Sequence, residues 1–129
     1  MTESSYYADL TKYYAEEALR IKKSITWEAK FTRTSYLNFK CLPYHQEEFL
    51  LQSERSFGYK IPDTGIAKKP FDGLAIFDAH AVFVAIYFVP RKTEIYEIPI
   101  RDFLTEKYKS GNKSLTKERA AQIGTPLVL

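Results

Sequence analysis

The sequence is poor in several features that small proteins use for stability or targeting. Only one cysteine and two histidines occur among its 129 residues. These counts exclude an intrachain disulfide and a multi-cysteine zinc site, and they argue against a structural zinc. The longest apolar run, Ala81–Val89, is too short for a transmembrane helix, which needs about 20 residues. The N-terminal segment is polar and tyrosine-rich and does not resemble a signal peptide. We therefore expect a soluble intracellular protein, in the cytoplasm.

The composition is that of a folded globular protein. Hydrophobic residues make up 45% of the chain and charged residues 27%, which argues against disorder. The length is typical of one domain, so we expect residues 1–129 to form a single domain. The net charge of +3 permits a polyanionic partner without requiring one, because binding depends on where the charges cluster.

The hydrophobic pattern predicts helices around a mixed β-sheet. Helices are expected over residues 4–22 and 42–57, with two shorter ones towards the C-terminus. Segments ITWEAKF, GYKIPD and TEIYEIPI read as strands, and FDGLAIFDAHAVFVAIYFV reads as a hairpin of strands 71–77 and 81–89. Strand 81–89 is apolar on both faces, which predicts a central position in the sheet. The predicted class is α/β, with a mixed central sheet of about four or five strands flanked by helices.

The strand ITWEAKFT carries an unusual pair of charges. Because strand side chains alternate between faces, Glu28 and Lys30 share one face, while Trp27, Ala29 and Phe31 share the other. Such a pair is often only a solvated sheet surface. It also matches half of a metal-dependent nuclease site, in which carboxylates hold Mg²⁺ and a lysine orients water or stabilises developing charge.

The first helix and the predicted hairpin offer further carboxylates. Glu17 lies on or beside the buried face of the first helix, and Asp72 begins the hairpin in KPFDGL. Glu28 and Asp72 would converge on one metal ion if their strands are neighbours in the sheet. Asp63, which follows Pro62, is a turn residue by position and an alternative to Asp72 as the second ligand.

A family resemblance supports the nuclease interpretation. The run WEAKFT, then Phe39, then the pair His45-Gln46 resembles the E-x-K-x-T…H-Q pattern of Holliday junction resolvases of the RecU type. These resolvases belong to the PD-(D/E)xK nuclease superfamily, and the resemblance covers about residues 25–100. It implies a restriction-endonuclease-like fold, a homodimer, and Mg²⁺-dependent cleavage of branched DNA in recombination and repair. Mn²⁺ would serve as a substitute for Mg²⁺.

The resemblance assigns residues position by position. Glu28 and Lys30 match the E and K of the motif, Gln46 matches the glutamine that opens the next helix, and Glu17 matches a glutamate of the first helix. The family places its metal-binding aspartate on a strand directly before E-x-K, and this chain has no room for that strand. Asp72 is the replacement that we expect. The catalytic set predicted by the resemblance is therefore Glu28, Lys30, Asp72, Glu17 and Gln46, with Glu28 and Asp72 as metal ligands.

Basic side chains near these segments are candidates for DNA contacts, which would make binding salt-dependent. Arg33 follows the E-x-K strand directly, and a lysine-rich loop spans residues 109–119. The predicted nucleic-acid-binding residues are Arg33, Lys60, Lys68, Lys69 and Lys113.

Two other functions remain open from the sequence. One is a nucleic-acid-binding module that has the nuclease fold without catalysis, which the missing aspartate strand favours. The other is an interaction protein whose tyrosine-rich first helix mediates assembly, and this reading predicts no salt-dependent DNA affinity.

Overall fold

The computed structural model of the chain describes residues 3–54, 57–60, 73–76, 80–89 and 91–129. Of these, residues 3–5, 57–60 and 73–76 are described by their backbone alone. The elements in chain order are α1 (Glu3–Ile21), β1 (Ile25–Thr32), β2 (Tyr36–Asn38), a 3₁₀ turn (Phe39–Cys41), α2 (Tyr44–Ser53), β3 (Phe57–Lys60), β4 (Gly73–Ile76), β5 (His80–Val89), β6 (Lys92–Pro99), α3 (Ile100–Lys109), β7 (Ser114–Thr116), α4 (Lys117–Ile123) and β8 (Thr125–Pro126).

The main sheet has four strands in the order β1-β5-β6-β8. β1 runs parallel to β5, with Glu28 opposite Phe83, whereas β5–β6 and β6–β8 are antiparallel. A parallel pair needs a crossover connection, and α2 lies within the chain that joins β1 to β5. The predicted α/β class with a mixed sheet flanked by helices is thus confirmed.

Strand β5 lies at the centre of the sheet, as its sequence predicted. Every residue from Ala81 to Tyr87 is buried. On one face, Val82, Val84 and Ile86 pack against the buried side chains of α1. On the other face, the alternate residues of β5 pack into a second cluster with side chains from α2, α3 and α4. The described residues therefore form two hydrophobic cores that share one strand.

Helix α1 is attached to the sheet through its tyrosines. The Tyr14 ring stacks on Trp27 of β1 with ring centroids 5.5 Å apart, and the Tyr7 hydroxyl donates a hydrogen bond of 2.7 Å to the carbonyl of Ala29. The helix ends at Ile21, and the next residue, Lys22, adopts a left-handed conformation with φ of 58°. The tyrosine pairs of this helix therefore belong to the core on this side of the sheet.

The predicted hairpin of strands 71–77 and 81–89 is wrong. β4 pairs with β3 in a separate two-stranded sheet, with Gly73 opposite Lys60, and β5 pairs with β1 and β6 instead. The two-stranded β2–β7 sheet, in which Tyr36 lies opposite Thr116, was not predicted from the sequence. Such short strands show almost no hydrophobic alternation.

Among the described residues, no helix combines the length and the apolar character that crossing a membrane requires.

Candidate active site on strand β1

The charged pair of β1 lies on the side of the sheet that α2 and α3 cover. Trp27, Ala29 and Phe31 pack with the core beneath α1, so Glu28 and Lys30 project from the opposite face. Lys30 Nζ lies 3.2 Å from Glu28 Oε1, and the two side chains are 26% and 30% exposed. The predicted sharing of one face is confirmed. The pair is accessible from solvent yet close to the core.

Cys41 shares the electrostatic environment of this pair. The pKa of the Cys41 thiol is raised to about 11, mainly by burial and slightly by Glu28, whereas the positive charges of Lys30 and Lys107 lower it. These long-range effects require the four side chains to lie near one another. The 3₁₀ turn and α3 thus contribute to the same neighbourhood as β1.

The first turn of α2 carries Gln46, the glutamine of the H-Q pair. Its backbone N–H donates to the carbonyl of Pro43 at 3.0 Å, and α2 packs against both β1 and β5. The side-chain atom Gln46 Oε1 is buried and has no hydrogen-bond partner among the described residues. A buried acceptor without a donor is uncommon and is often associated with function. His45 beside it is exposed.

A buried ion pair that the sequence analysis missed joins α2 to α3. Glu47 is 2% exposed, and its carboxylate forms an ion pair with the ammonium of Lys107. Lys107 also donates to the carbonyl of Leu42 at 2.9 Å. The Tyr108 hydroxyl lies 2.7 and 2.9 Å from the two Glu47 oxygens, and this hydrogen bonding raises the pKa of Tyr108 to about 12. The cluster fixes the start of α2 relative to α3.

The structure does not bring Glu17 to the pair on β1. Glu17 belongs to α1, which covers the other face of the sheet, and it forms an ion pair with Arg20. Hydrogen bonds from the Arg20 guanidinium hold the pKa of Glu17 below its usual value, and the charge of His80 acts in the same direction. Glu17 is thus engaged within its own helix.

Asp72, predicted as the second metal ligand, and its alternative Asp63 lie outside the described residues. Convergence of Asp72 with Glu28 requires the strand that follows Asp72 to lie beside β1, and this condition is not met, because that strand, β4, pairs with β3. The described part of the chain contains no group of three or more His, Cys, Asp or Glu side chains that could hold a metal ion.

Glu28 on its own fits the requirements of Mg²⁺. This ion binds through one or two carboxylates and retains several waters. The Glu28 carboxylate is partly open to solvent. It offers oxygen ligands of the kind that Mg²⁺ prefers.

Two of the predicted DNA-binding residues have described side chains. The Arg33 guanidinium lies 5.6 Å from the centroid of the Phe88 ring, and the residue is exposed. Lys113 is exposed and forms no ion pair within the described part of the chain. Lys68 and Lys69 lie outside the described residues, and only the backbone of Lys60 is described, in β3.

Two other basic residues of the segment 109–119, both in helix α4, are neutralised by carboxylates. Lys117 pairs with Glu94 at 2.7 Å, and Arg119 pairs with Glu106 at 2.7 Å. Neither therefore presents an unmatched positive charge.

No family model matches the chain, and no curated protein or solved structure is detectably similar to it.

Proposed function

We propose that the protein is a Mg²⁺-dependent endonuclease that cleaves branched DNA in the manner of Holliday junction resolvases. The observation that carries the proposal is the position of Glu28 and Lys30, which lie 3.2 Å apart on one solvent-accessible face of a sheet strand. A carboxylate and an ammonium group at this separation provide a metal ligand and a phosphate-binding cation within reach of one phosphodiester.

Each residue has a distinct role in this proposal. Glu28 would hold the metal ion, and the bound ion would supply Lewis-acid polarisation of the scissile phosphate. Lys30 donates hydrogen bonds to phosphate oxygens and stabilises the negative charge that develops during attack by water. Gln46, whose side-chain oxygen lacks a partner among the described residues, accepts a hydrogen bond from the attacking water or from the DNA. Glu17 has no direct role, because it is paired with Arg20.

The positive charge of the chain supports the proposal that its substrate is DNA. The chain carries a net charge of +3, and two exposed cations are candidates for DNA contacts: Arg33 directly follows the E-x-K strand, and Lys113 directly precedes β7, the partner of β2. A homodimer would present two such sites to the two-fold symmetry of a four-way junction. Action on recombining or damaged DNA would place the protein in the cytoplasm with the nucleoid.

The test is nicking of a labelled four-way junction, with and without Mg²⁺, beside a linear duplex of matched sequence. We expect the wild type to nick the junction symmetrically only with metal. Glu28→Gln removes a metal ligand, and Lys30→Gln removes the stabilising cation, so each should lower the nicking rate by about 100-fold or more. Glu16→Gln, an exposed glutamate on α1, is the matched control and should leave the rate unchanged.

One specific observation favours a second function, a nucleic-acid-binding module without catalysis. Lys30 already neutralises the charge of the Glu28 carboxylate, so no metal ion is needed to balance that charge. Junction binding without cleavage, at any Mg²⁺ or Mn²⁺ concentration, would establish this module and overturn the nuclease.

A further inference from the structure

A groove lies beside the β2–β7 sheet. It has a volume of about 370 Å³ and is bordered by β2, β7, α3, α4 and the loop before β7. The volume is in the range of sites that hold small ligands. We call it the ribbon groove. Its lining includes one aromatic side chain, Tyr36, and two cations, Lys113 and Arg119.

Tyr36 is exposed on a fixed backbone. Its side chain has a relative exposure of 55%, although large aromatic residues usually bury most of their surface. Its backbone is held by pairing with Thr116 and by Thr34, whose hydroxyl donates to the Tyr36 carbonyl at 2.9 Å. A rigid and solvent-facing ring suits the stacking of a nucleic-acid base, since every base has a π-face.

Lys113 supplies the unmatched charge of the groove. Arg119 forms an ion pair with Glu106 at 2.7 Å, so their charges cancel. The Arg119 guanidinium also donates a hydrogen bond of 2.8 Å to Gln122. The backbone of Lys113 is fixed, because its carbonyl accepts a hydrogen bond of 3.0 Å from Phe39 N–H, while its side chain is exposed. About three strand residues, or roughly 10 Å, separate its backbone from that of Tyr36. The groove thus offers a stacking surface for a base and a cation for a phosphate.

We propose that the ribbon groove binds a nucleotide of an unpaired strand, with the base on Tyr36 and the phosphate on Lys113. β2 follows β1 after the short segment 33–35, so the groove borders the C-terminal end of the strand that carries Glu28 and Lys30. Unpaired nucleotides at a branch point would enter it while the duplex arm lies against β1. The identification of the ligand as DNA rests on the proposed function.

The experiment measures binding of a fluorescein-labelled oligothymidylate by anisotropy in EDTA, where no metal-dependent cleavage takes place. Tyr36→Leu should raise the Kd by about fivefold to 100-fold, because stacking contributes about 1–3 kcal/mol per base. Tyr36→Trp should restore binding, since it keeps a stacking surface. Tyr44→Leu, an exposed tyrosine on α2, is the matched control and should leave the Kd unchanged. Thermal unfolding of each variant verifies its folding.

Salt dependence tests the contact with Lys113. Lys113→Gln should reduce the slope of log K against log salt by about 0.7, whereas Lys23→Gln, at an exposed lysine before β1, should not. An oligouridylate in parallel distinguishes DNA from RNA: tighter, Tyr36-dependent binding of the ribo-oligomer would replace DNA by RNA as the ligand. Failure of the wild type to bind, or binding unaffected by Tyr36→Leu or Lys113→Gln, would overturn the site.

Failure of this inference is distinguishable from failure of the proposed function. Mg²⁺-dependent nicking that Glu28→Gln abolishes, together with a Tyr36→Leu variant that binds normally, would retain the nuclease and reject the groove. Tyr36-dependent binding by a protein that never nicks DNA would retain the groove and reject the nuclease.

Discussion

Several neighbouring groups affect the pKa of the Cys41 thiol. Its thiol is partly buried against the core beneath α2 and α3, and burial is the main cause of its raised pKa. Lys30 and Lys107 offset this effect only in part, so the thiol remains protonated at neutral pH. A cysteine with these properties is a poor nucleophile, because the thiolate is the reactive form.

Alkylation by iodoacetamide tests this state of the thiol. At pH 8, the native protein should react about 100-fold more slowly than a free cysteine, because its pKa is about 11 instead of its usual 8.5–9. The native rate should rise about tenfold per pH unit towards pH 11. Since the folded pKa is the higher one, this group stabilises the fold fully below about pH 9 and loses that effect as pH rises through 11.

A fast native reaction at pH 8 would contradict the burial of the thiol. Cys41→Ser serves as the unreactive control, and full reaction in denaturant verifies that the reagent reaches the residue.

The elements with strong local periodicity were predictable from the sequence. Helix α1 and strands β1 and β6 each carry a periodic pattern of apolar residues, and β5 is a continuous apolar run; these patterns match the faces that are buried. Pairing is not local, and for this reason the expected hairpin was wrong: nothing within residues 71–89 records that β5 lies beside β1. The two-residue β8 is too short for any alternation to be visible.

In the candidate site too, contacts within one element were predictable from the sequence and contacts between distant elements were not. Alternation within β1 was sufficient to place Glu28 and Lys30 together, because both residues lie on one element. The pairing of Glu47 with Lys107 joins positions 60 residues apart in the chain, and only tertiary packing brings them into contact. The sole signal in the sequence is a glutamate directly after the H-Q pair of α2.

The buried ion pair between Glu47 of α2 and Lys107 of α3 should contribute measurably to the free energy of unfolding. Glu47→Ala leaves the ammonium of Lys107 largely buried without its partner, so the free energy of unfolding should fall by about 3 kcal/mol. The double variant Glu47→Leu/Lys107→Met should lose much less, because it removes both charges. Urea unfolding measures these changes.

The same two helices provide a matched control for this prediction. Arg101 and Glu54 also join α3 to α2, at 2.8 Å, but the arginine side chain is 67% exposed. Glu54→Ala should therefore change stability by less than about 1 kcal/mol. Equal losses from Glu47→Ala and Glu54→Ala would refute the special position of the buried pair.

At the scale of the whole molecule, the two cores should unfold as one unit because they share β5. Leu10→Ala opens the core under α1, and Phe103→Ala opens the other, where its ring stacks on Phe83 at 4.0 Å. Each should lower the free energy of unfolding by about 3–4 kcal/mol. Far- and near-UV circular dichroism should give coincident single transitions in both variants.

Leu19→Ala is the control for these substitutions, since Leu19 is 80% exposed, and it should change stability by less than about 0.5 kcal/mol. Two separate transitions in either core variant would show that the faces of the sheet unfold independently.

The parallel pairing of β1 with β5 also has a consequence during synthesis. Ile25 lies opposite His80, 55 residues later, so at about 5–20 residues per second a nascent β1 waits roughly 3–11 s for its partner. An apolar strand with free edges is prone to aggregate during such a delay. Glu28 and Lys30 interrupt the apolar character of this strand, and charges so placed act as gatekeepers against aggregation. The two residues proposed for catalysis would therefore also reduce aggregation of the nascent chain before it folds.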